Sequence, residues 1–146
     1  MEEMRQWLGD LMDGMADSPR QEACLELLRH CGGNCARRNA LPHMADLKAE
    51  LAEANGLEDM ARIIARHTGA ESQATEDGFI LTYNRGKGCD CALVRGGLVD
   101  SPLFCNCTLG FHETVWSDLL ARPVAVELLE TFLRGGDCCA QRITVL

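Results

Sequence analysis

Apolar residues in the first half of the chain recur every three to four positions, which is the spacing of one face of an α-helix. The first such series consists of Met4, Trp7, Leu8, Leu11, Met12 and Met15. A surface helix with one apolar stripe accounts for this series, so we expect the stripe to face the protein core.

Three more helices are predicted in residues 1–73. Ser18-Pro19 has the hydroxyl cap and the proline of a helix start, and Gly32-Gly33 is expected to end that helix. A third helix is predicted to begin at Leu41-Pro42, and a fourth to end at Gly69. The short connections favour helices that pack as roughly antiparallel neighbours.

The hydrophobic pattern changes after Gly78, where alternation replaces helical spacing. The pattern predicts a hairpin of strands 79–84 and 89–94, a helix over 111–121, and a second hairpin of strands 124–133 and 138–146.

Together these elements predict an α+β fold in one domain, residues 1–146. In this fold the N-terminal helices of residues 1–73 pack on a small antiparallel sheet with one inserted helix, formed by residues 74–146.

Composition and charge narrow the class of protein. Hydrophobic residues make up 47% of the chain and charged residues 25%, as in globular domains. The 22 acidic and 14 basic residues give a net charge of −8, which disfavours binding to nucleic acid or anionic membranes. No apolar run is long enough for a membrane span, and the N-terminus does not resemble a signal peptide. We therefore expect a cytoplasmic domain.

Cysteine is the unusual feature of the composition. Nine cysteines occur in 146 residues, and the odd number and expected compartment favour free thiols over disulfides. Cys138 and Cys139 are adjacent and cannot easily bind one ion together, because neighbouring strand residues face opposite ways. We expect Cys139 to pack in the core beside Ile143 and Val145.

Two pairs of cysteines indicate a metal site. Cys89 and Cys91 form one pair, and Cys105 and Cys107 form the other, each with a single residue between them. In an extended segment such spacing directs both thiols to one side. Four thiolates suit a tetrahedral zinc ion, with an iron–sulfur cluster as the alternative cofactor. The competing interpretation is that these thiols only pack in the core.

Cys31, Cys35 and His112 are weaker candidates for metal ligands. Gly32-Gly33 is expected to break the helix between Cys31 and Cys35, and a loop there would let a thiol approach the sheet. His112 lies at the start of a predicted helix, five residues after Cys107. A helix N-terminus lowers a thiol pKa, so Cys107 and His112 form an alternative catalytic pair of nucleophile and base.

The C-terminal residues 123–146 carry a resemblance to known families. A strand is followed by the turn Gly135-Gly136-Asp137 and a closing strand with Cys139 and Ile143. This hairpin resembles the end of 4-vinyl-reductase-type, or predicted hydrocarbon-binding, domains. The L-2-amino-thiazoline-4-carboxylate hydrolase family ends similarly, and so do cysteine-rich bacterial proteins with paired Cys-x-Cys motifs. Gln141 stands where these families usually have an aromatic residue.

The resemblance implies a ligand-binding α+β domain, often a homodimer, that holds a small apolar or heteroaromatic molecule between its helices and its sheet. Three functional hypotheses follow. The leading one is a zinc-stabilised domain that binds a small molecule. The alternatives are a thiol-dependent hydrolase of the amino-thiazoline type and a structural domain whose cysteines only pack.

Overall fold

The structure is a computed structural model that describes all residues from 1 to 146. It confirms the α+β prediction, because helices precede and pack on a small antiparallel sheet. The helices are α1 (Glu2–Ala16), α2 (Gln21–Asn39), α3 (Ala45–Ala52), α4 (Gly56–Thr68), α5 (Ala92–Arg95) and α6 (Cys105–Leu120). The strands are β1 (Glu71–Ala74), β2 (Gly78–Tyr83), β3 (Val124–Glu130) and β4 (Cys139–Val145).

The four strands are arranged in the order β1-β2-β4-β3, and every neighbouring pair is antiparallel. Phe79 of β2 pairs with Ile143 of β4, and both side chains are completely buried. Arg142, the adjacent residue on β4, is exposed. Because side chains alternate along a strand, one face of the sheet packs on the helices and the other faces solvent.

The core lies between this covered face and the helices. Its largest fully buried side chain is Trp116 of α6, which belongs to the same apolar cluster as Phe79, Leu81 and Ile64. Helix α6 therefore lies in the interior of the protein. It comes between β2 and β3 in the sequence, and it packs against α2.

Helix α2 does not end at Gly32-Gly33, so that prediction is wrong. The helix continues to Asn39 because the glycines lie where α6 crosses it. A Cβ atom on Gly32 would lie 1.8 Å from the carbonyl oxygen of Cys107, and one on Gly110 would lie 2.0 Å from that of Arg29. The glycines are therefore required for close approach of the two backbones, and they leave the helix intact.

The predicted strand 89–94 is absent. Cys89 and Cys91 lie in an irregular loop before α5, and β2 pairs with β1 and β4 instead. Strand β1 was not predicted and places the start of the sheet at Glu71, before the expected boundary at residue 74. Its four residues form a polar edge strand, which has no run of alternating apolar residues to reveal it.

Helix α6 begins at Cys105, six residues before the predicted start at 111. The Ser101 hydroxyl accepts a hydrogen bond from the Leu103 amide at 3.4 Å and opens a 3₁₀ turn, Pro102–Phe104, that leads into the helix. A hydroxyl cap followed by proline is a helix-start signal, and here it precedes the second cysteine pair.

Helix α1 forms as predicted, but only the C-terminal half of its apolar stripe is buried. Met12 and Met15 pack with Leu28 of α2 in a small separate cluster. Met4 is 53% exposed and Trp7 is 63% exposed, so the expectation of a core-facing stripe is wrong for the first two turns. No helix in the structure has the length and apolar character needed to cross a membrane.

Candidate functional site

Four cysteines from three separate parts of the chain line one small cavity. Cys89 and Cys91 belong to the loop after β2, Cys105 begins α6, and Cys139 begins β4. The free space in this cavity is about 10 Å³. A cavity of this size holds about one water molecule or ion, and it does not hold an organic ligand.

The loop after β2 is folded back onto the start of β4 by its backbone. Asn84, Gly86 and Gly88 have positive φ angles of 56°, 71° and 89°, which reverse the chain direction. The Gly86 amide donates a hydrogen bond to the Asp137 carbonyl at 2.8 Å. This hydrogen bond connects the loop to the β3–β4 connection, and it brings Cys89 toward Cys139.

Cys105 is the most deeply buried thiol of the cavity, with 5% of its surface exposed. Its Sγ donates a hydrogen bond to the hydroxyl of Thr131 at 3.3 Å. The same hydroxyl accepts the amide of Arg134 at 3.2 Å. A hydroxyl both donates and accepts, so Thr131 is able to reverse its role and donate to a Cys105 thiolate.

Cys107 does not line this cavity. Residues two apart on an α-helix point in nearly opposite directions, and Cys105 and Cys107 both lie in α6. The backbone of Cys107 lies at the crossing with α2, where its carbonyl oxygen faces Gly32. The predicted extended geometry of the Cys105–Cys107 pair is therefore wrong.

The continuous helix α2 also changes the relation of Cys31 and Cys35. Residues four apart on a helix share one face, so the two thiols are side by side. Cys31 is exposed and Cys35 is half-buried. The Asn39 side-chain amide donates a hydrogen bond to Cys35 Sγ at 3.4 Å.

Three thiols of this region have raised pKa values, which favours their protonated forms. Burial raises the pKa of Cys107 to about 12 and that of Cys139 to about 11, and it also raises the pKa of Cys89. The charged neighbours that raise these pKa values further are other cysteines and, for Cys89, Asp90. No cationic side chain acts on these three pKa values. Backbone hydrogen bonds from Cys91 to Cys89 and from Phe132 to Cys139 oppose the rise in pKa, but burial has the larger effect.

His112 is placed as a packed interior residue. Its ring lies 5.7 Å from that of Tyr83 and 5.4 Å from that of Phe111, measured between ring centroids. Its Nδ1 is buried without a hydrogen-bond partner, and burial lowers the pKa of His112 to about 4. A Cys–His catalytic pair requires an activated thiolate and a basic imidazole. Here the raised pKa of Cys107 disfavours the thiolate, and the lowered pKa of His112 makes its imidazole a weaker base.

Of the four predicted metal ligands, the structure brings Cys89, Cys91 and Cys105 around one cavity, and Cys107 does not line it. No three side chains among the histidines, cysteines, aspartates and glutamates converge tightly enough in this structure to hold a metal ion. Cys139 joins the cavity although its sequence position indicated a core role. The pairing of Cys139 with Tyr83 at the end of β2 brings it there, and no local sequence signal marks it.

A second cavity, of about 230 Å³, opens on the surface of α3 and α4. Its lining is mostly charged and consists of Glu50, Glu53, Ala54, Asp59, Arg62, Ile63 and Arg66. It lies away from the cysteines, and its charged lining does not match the apolar or heteroaromatic ligand expected between the helices and the sheet.

Comparison of the sequence with models of known protein families finds no match, and no curated protein is significantly similar to it. The resemblance of residues 123–146 to 4-vinyl-reductase-type and thiazoline-hydrolase domains therefore stays a prediction. The functional proposal below is therefore based on the geometry of the cysteine cavity.

Proposed function

We propose that this chain is a metal-binding domain whose cysteines hold a thiophilic ion, with zinc as the first choice and an iron–sulfur cluster as the alternative. The supporting observation is the convergence of Cys89, Cys91, Cys105 and Cys139 on one cavity of about 10 Å³. Cys89, Cys91 and Cys105 belong both to this group and to the set predicted from the sequence. Cys139 lines the cavity as a fourth sulfur, and Cys107 lies outside it.

The chemistry of the thiols favours this proposal over catalysis. Metal ligation requires thiolates, and a bound cation supplies the positive charge that the surrounding protein lacks. Thiol nucleophiles need a low pKa from a nearby cation or helix end, whereas the pKa of Cys107 is raised to about 12. The hydrolase hypothesis therefore has less physical support than metal binding.

Binding of the ion would add a connection among three chain segments. The loop after β2, the start of α6 and the start of β4 would be joined through sulfur, and Thr131 would donate a hydrogen bond to the Cys105 thiolate. The free energy of metal binding would then contribute directly to the free energy of folding. Binding requires the thiols to approach one another, and Cys89 and Cys91 lie in a loop without regular secondary structure.

Small-molecule binding and a homodimer stay predictions from the family resemblance, and a cytoplasmic location stays a prediction from the sequence. All nine cysteines carry free thiols, in agreement with a reducing compartment.

Metal analysis of the full chain, expressed without a histidine tag and purified without chelators, tests the proposal. We expect at least one zinc ion per chain, or iron with visible absorbance if a cluster forms. Cys105→Ser should lower the metal content and the melting temperature. Cys24→Ser is the matched control, because Cys24 packs against the α1–α2 cluster away from the cavity. A folded wild-type protein that binds neither metal would contradict the proposal.

Alkylation distinguishes metal binding from thiol catalysis. In the metal-loaded protein, iodoacetamide should leave the four cavity thiols, Cys89, Cys91, Cys105 and Cys139, unmodified until a chelator exposes them together. Rapid modification of Cys107 alone at neutral pH, without metal loss and slowed by His112→Ala, would support the hydrolase instead.

A further inference from the structure

The exposed side of helix α1 has the residue spacing of an interface between two helices. Its apolar residues Met4, Trp7 and Leu11 are 53%, 63% and 36% exposed, and they lie three and four positions apart. Gly14 continues the series, and no heavy atom lies within 4 Å of the position of its missing Cβ. Alternating intervals of three and four residues form the seam of a two-stranded coiled coil. We call these four positions the open seam of α1.

A different stripe of α1 attaches the helix to the rest of the protein. Met12 and Met15 are buried with Leu28 of α2, and Leu8 packs against the same cluster. The open seam lies beside this stripe, and its three side chains stay exposed although the structure describes the whole chain. An apolar stripe that the chain itself leaves uncovered is typical of a surface that binds another molecule.

Acidic residues follow the open seam along its outer edge. Glu3 and Asp10 lie on α1 and Asp17 directly follows it, and all three are exposed. They are seven residues apart, so they form one row on the side of the seam that faces away from the buried stripe. In a coiled coil, charged residues at this position pair with the partner helix and determine which partner binds.

The single basic residue of α1 lies away from this row. Arg5 approaches the loop after α5, where its Nη2 atom lies 3.4 Å from the position that a Cβ of Gly97 would occupy. Its Nη1 atom is 4.0 Å from the carboxylate of Glu2. The outer edge of the open seam therefore carries negative charge only.

We propose that the open seam of α1 binds an amphipathic helix of a partner protein, with an apolar stripe flanked by lysine or arginine. Burial of Trp7 and Leu11 against the apolar stripe supplies the affinity, because a few buried aromatic and apolar side chains dominate such interfaces. The basic residues pair with Glu3, Asp10 and Asp17 and select the partner. This binding surface goes beyond the proposed metal site and does not depend on it.

The charge of the seam favours this partner over a second copy of the chain. In an antiparallel pair of α1 helices, the two acidic rows would lie opposite each other and repel. In a parallel pair, the acidic row of one copy would face Leu8 and Met15 of the other, which already pack against their own domain. The net charge of −8 disfavours an anionic membrane for the same electrostatic reason.

Titration of the full chain with a synthetic peptide tests the proposal. The peptide has about three heptads, with leucine at the two core positions, lysine at the two flanking positions and no tryptophan. The chain has two tryptophans, and Trp116 is only 1% exposed, so a change in acrylamide quenching reports Trp7. We expect saturable binding that shields Trp7 and weakens with salt. A scrambled peptide of the same composition, and one with glutamate in place of lysine, should not bind.

Substitutions on α1 separate the apolar and the charged contributions. Leu11→Ser should weaken binding of the basic peptide about tenfold, because a leucine side chain is no longer buried. Asp10→Lys should weaken it about threefold at low salt through loss of one ion pair and added repulsion. Glu58→Lys is the matched control, since it reverses an exposed charge on α4, and it should bind as the wild type does. Far-UV circular dichroism of each variant checks that the fold is retained.

Four results would overturn the proposal. They are absence of saturable binding, equal binding of the basic and scrambled peptides, wild-type affinity in Leu11→Ser, and an equal effect of Asp10→Lys and Glu58→Lys. Sedimentation that shows a dimer dissociated by Leu11→Ser would assign the seam to a second copy instead. Shielding of Trp7 by phosphatidylcholine vesicles would assign it to a lipid surface. Metal content is measured separately, so none of these results bears on the proposed metal site.

Discussion

Gly32→Ala tests whether the contact between α2 and α6 organises this protein. In an isolated helix, replacing glycine with alanine stabilises by about 1 kcal/mol. Here the new Cβ would lie 1.8 Å from the carbonyl oxygen and 2.8 Å from the carbonyl carbon of Cys107. Both atoms belong to the backbone of a packed helix, so the steric clash can be relieved only if the two helices move apart.

Overpacking of this kind costs about 3 kcal/mol, since the atoms met are backbone and cannot rotate away. After subtraction of the gain in helix propensity, we expect Gly32→Ala to lower the free energy of unfolding by about 2 kcal/mol. For a chain of this length, that change corresponds to a fall in Tm of about 6 °C. Thermal and urea unfolding followed by circular dichroism measure both quantities.

Gly14→Ala is the matched control. Gly14 also lies inside a helix, α1, but no heavy atom lies within 4 Å of the position of its missing Cβ. We expect Gly14→Ala to raise the free energy of unfolding by up to about 1 kcal/mol, the opposite sign from Gly32→Ala. An equal stabilisation by both substitutions would refute the argument that backbone contact at Gly32 holds α2 against α6.

Three further predictions concern buried groups and the metal site. Gln141→Met should raise the free energy of unfolding by about 1 kcal/mol in urea titrations, because Gln141 is 1% exposed and its Oε1 has no hydrogen-bond partner; a loss of stability would show that the amide is satisfied. Burial lowers the pKa of His112 to about 4, so the unfolded chain binds the proton more readily and stability falls as pH drops from about 6.5 toward 4. His112→Phe should remove about 1 kcal/mol of that loss between pH 7 and 5.5, and an unchanged pH dependence would contradict the assignment. Zinc affinity, measured by chelator competition, should weaken about tenfold or more for each unit of falling pH, because binding displaces protons from thiols with raised pKa values; a pH-independent affinity would count against thiolate ligation.

Local patterns determined much of the fold. The fourth helix was predicted to end at Gly69, which caps α4 with a left-handed φ of 72°. The final hairpin was predicted from alternation, and the structure contains it as β3 and β4. Spacing along the chain predicts these elements because the periodicity of a helix or strand fixes which nearby residues share its apolar face.

The tertiary structure alone decided the arrangement of the cysteines. Alternate spacing suggested that Cys105 and Cys107 face one way, but α6 begins at Cys105 and directs them apart. Two glycines suggested a helix end at Gly32, whereas close approach of α6 uses them inside a continuous helix. Sequence spacing cannot distinguish a glycine that ends a helix from one that admits a neighbouring backbone, because the difference lies in an element about 75 residues away.

The sequence thus identified Cys89, Cys91 and Cys105 as a group, and it supplied no signal for Cys139. That residue joins the cavity because antiparallel pairing places it opposite Tyr83, directly before the loop that carries Cys89. Strand register is a long-range property, set by which apolar faces pack together in the core. The kind of candidate ligand was therefore determined by the sequence, and which cysteines meet at the cavity was decided by the packing of α6 and β4.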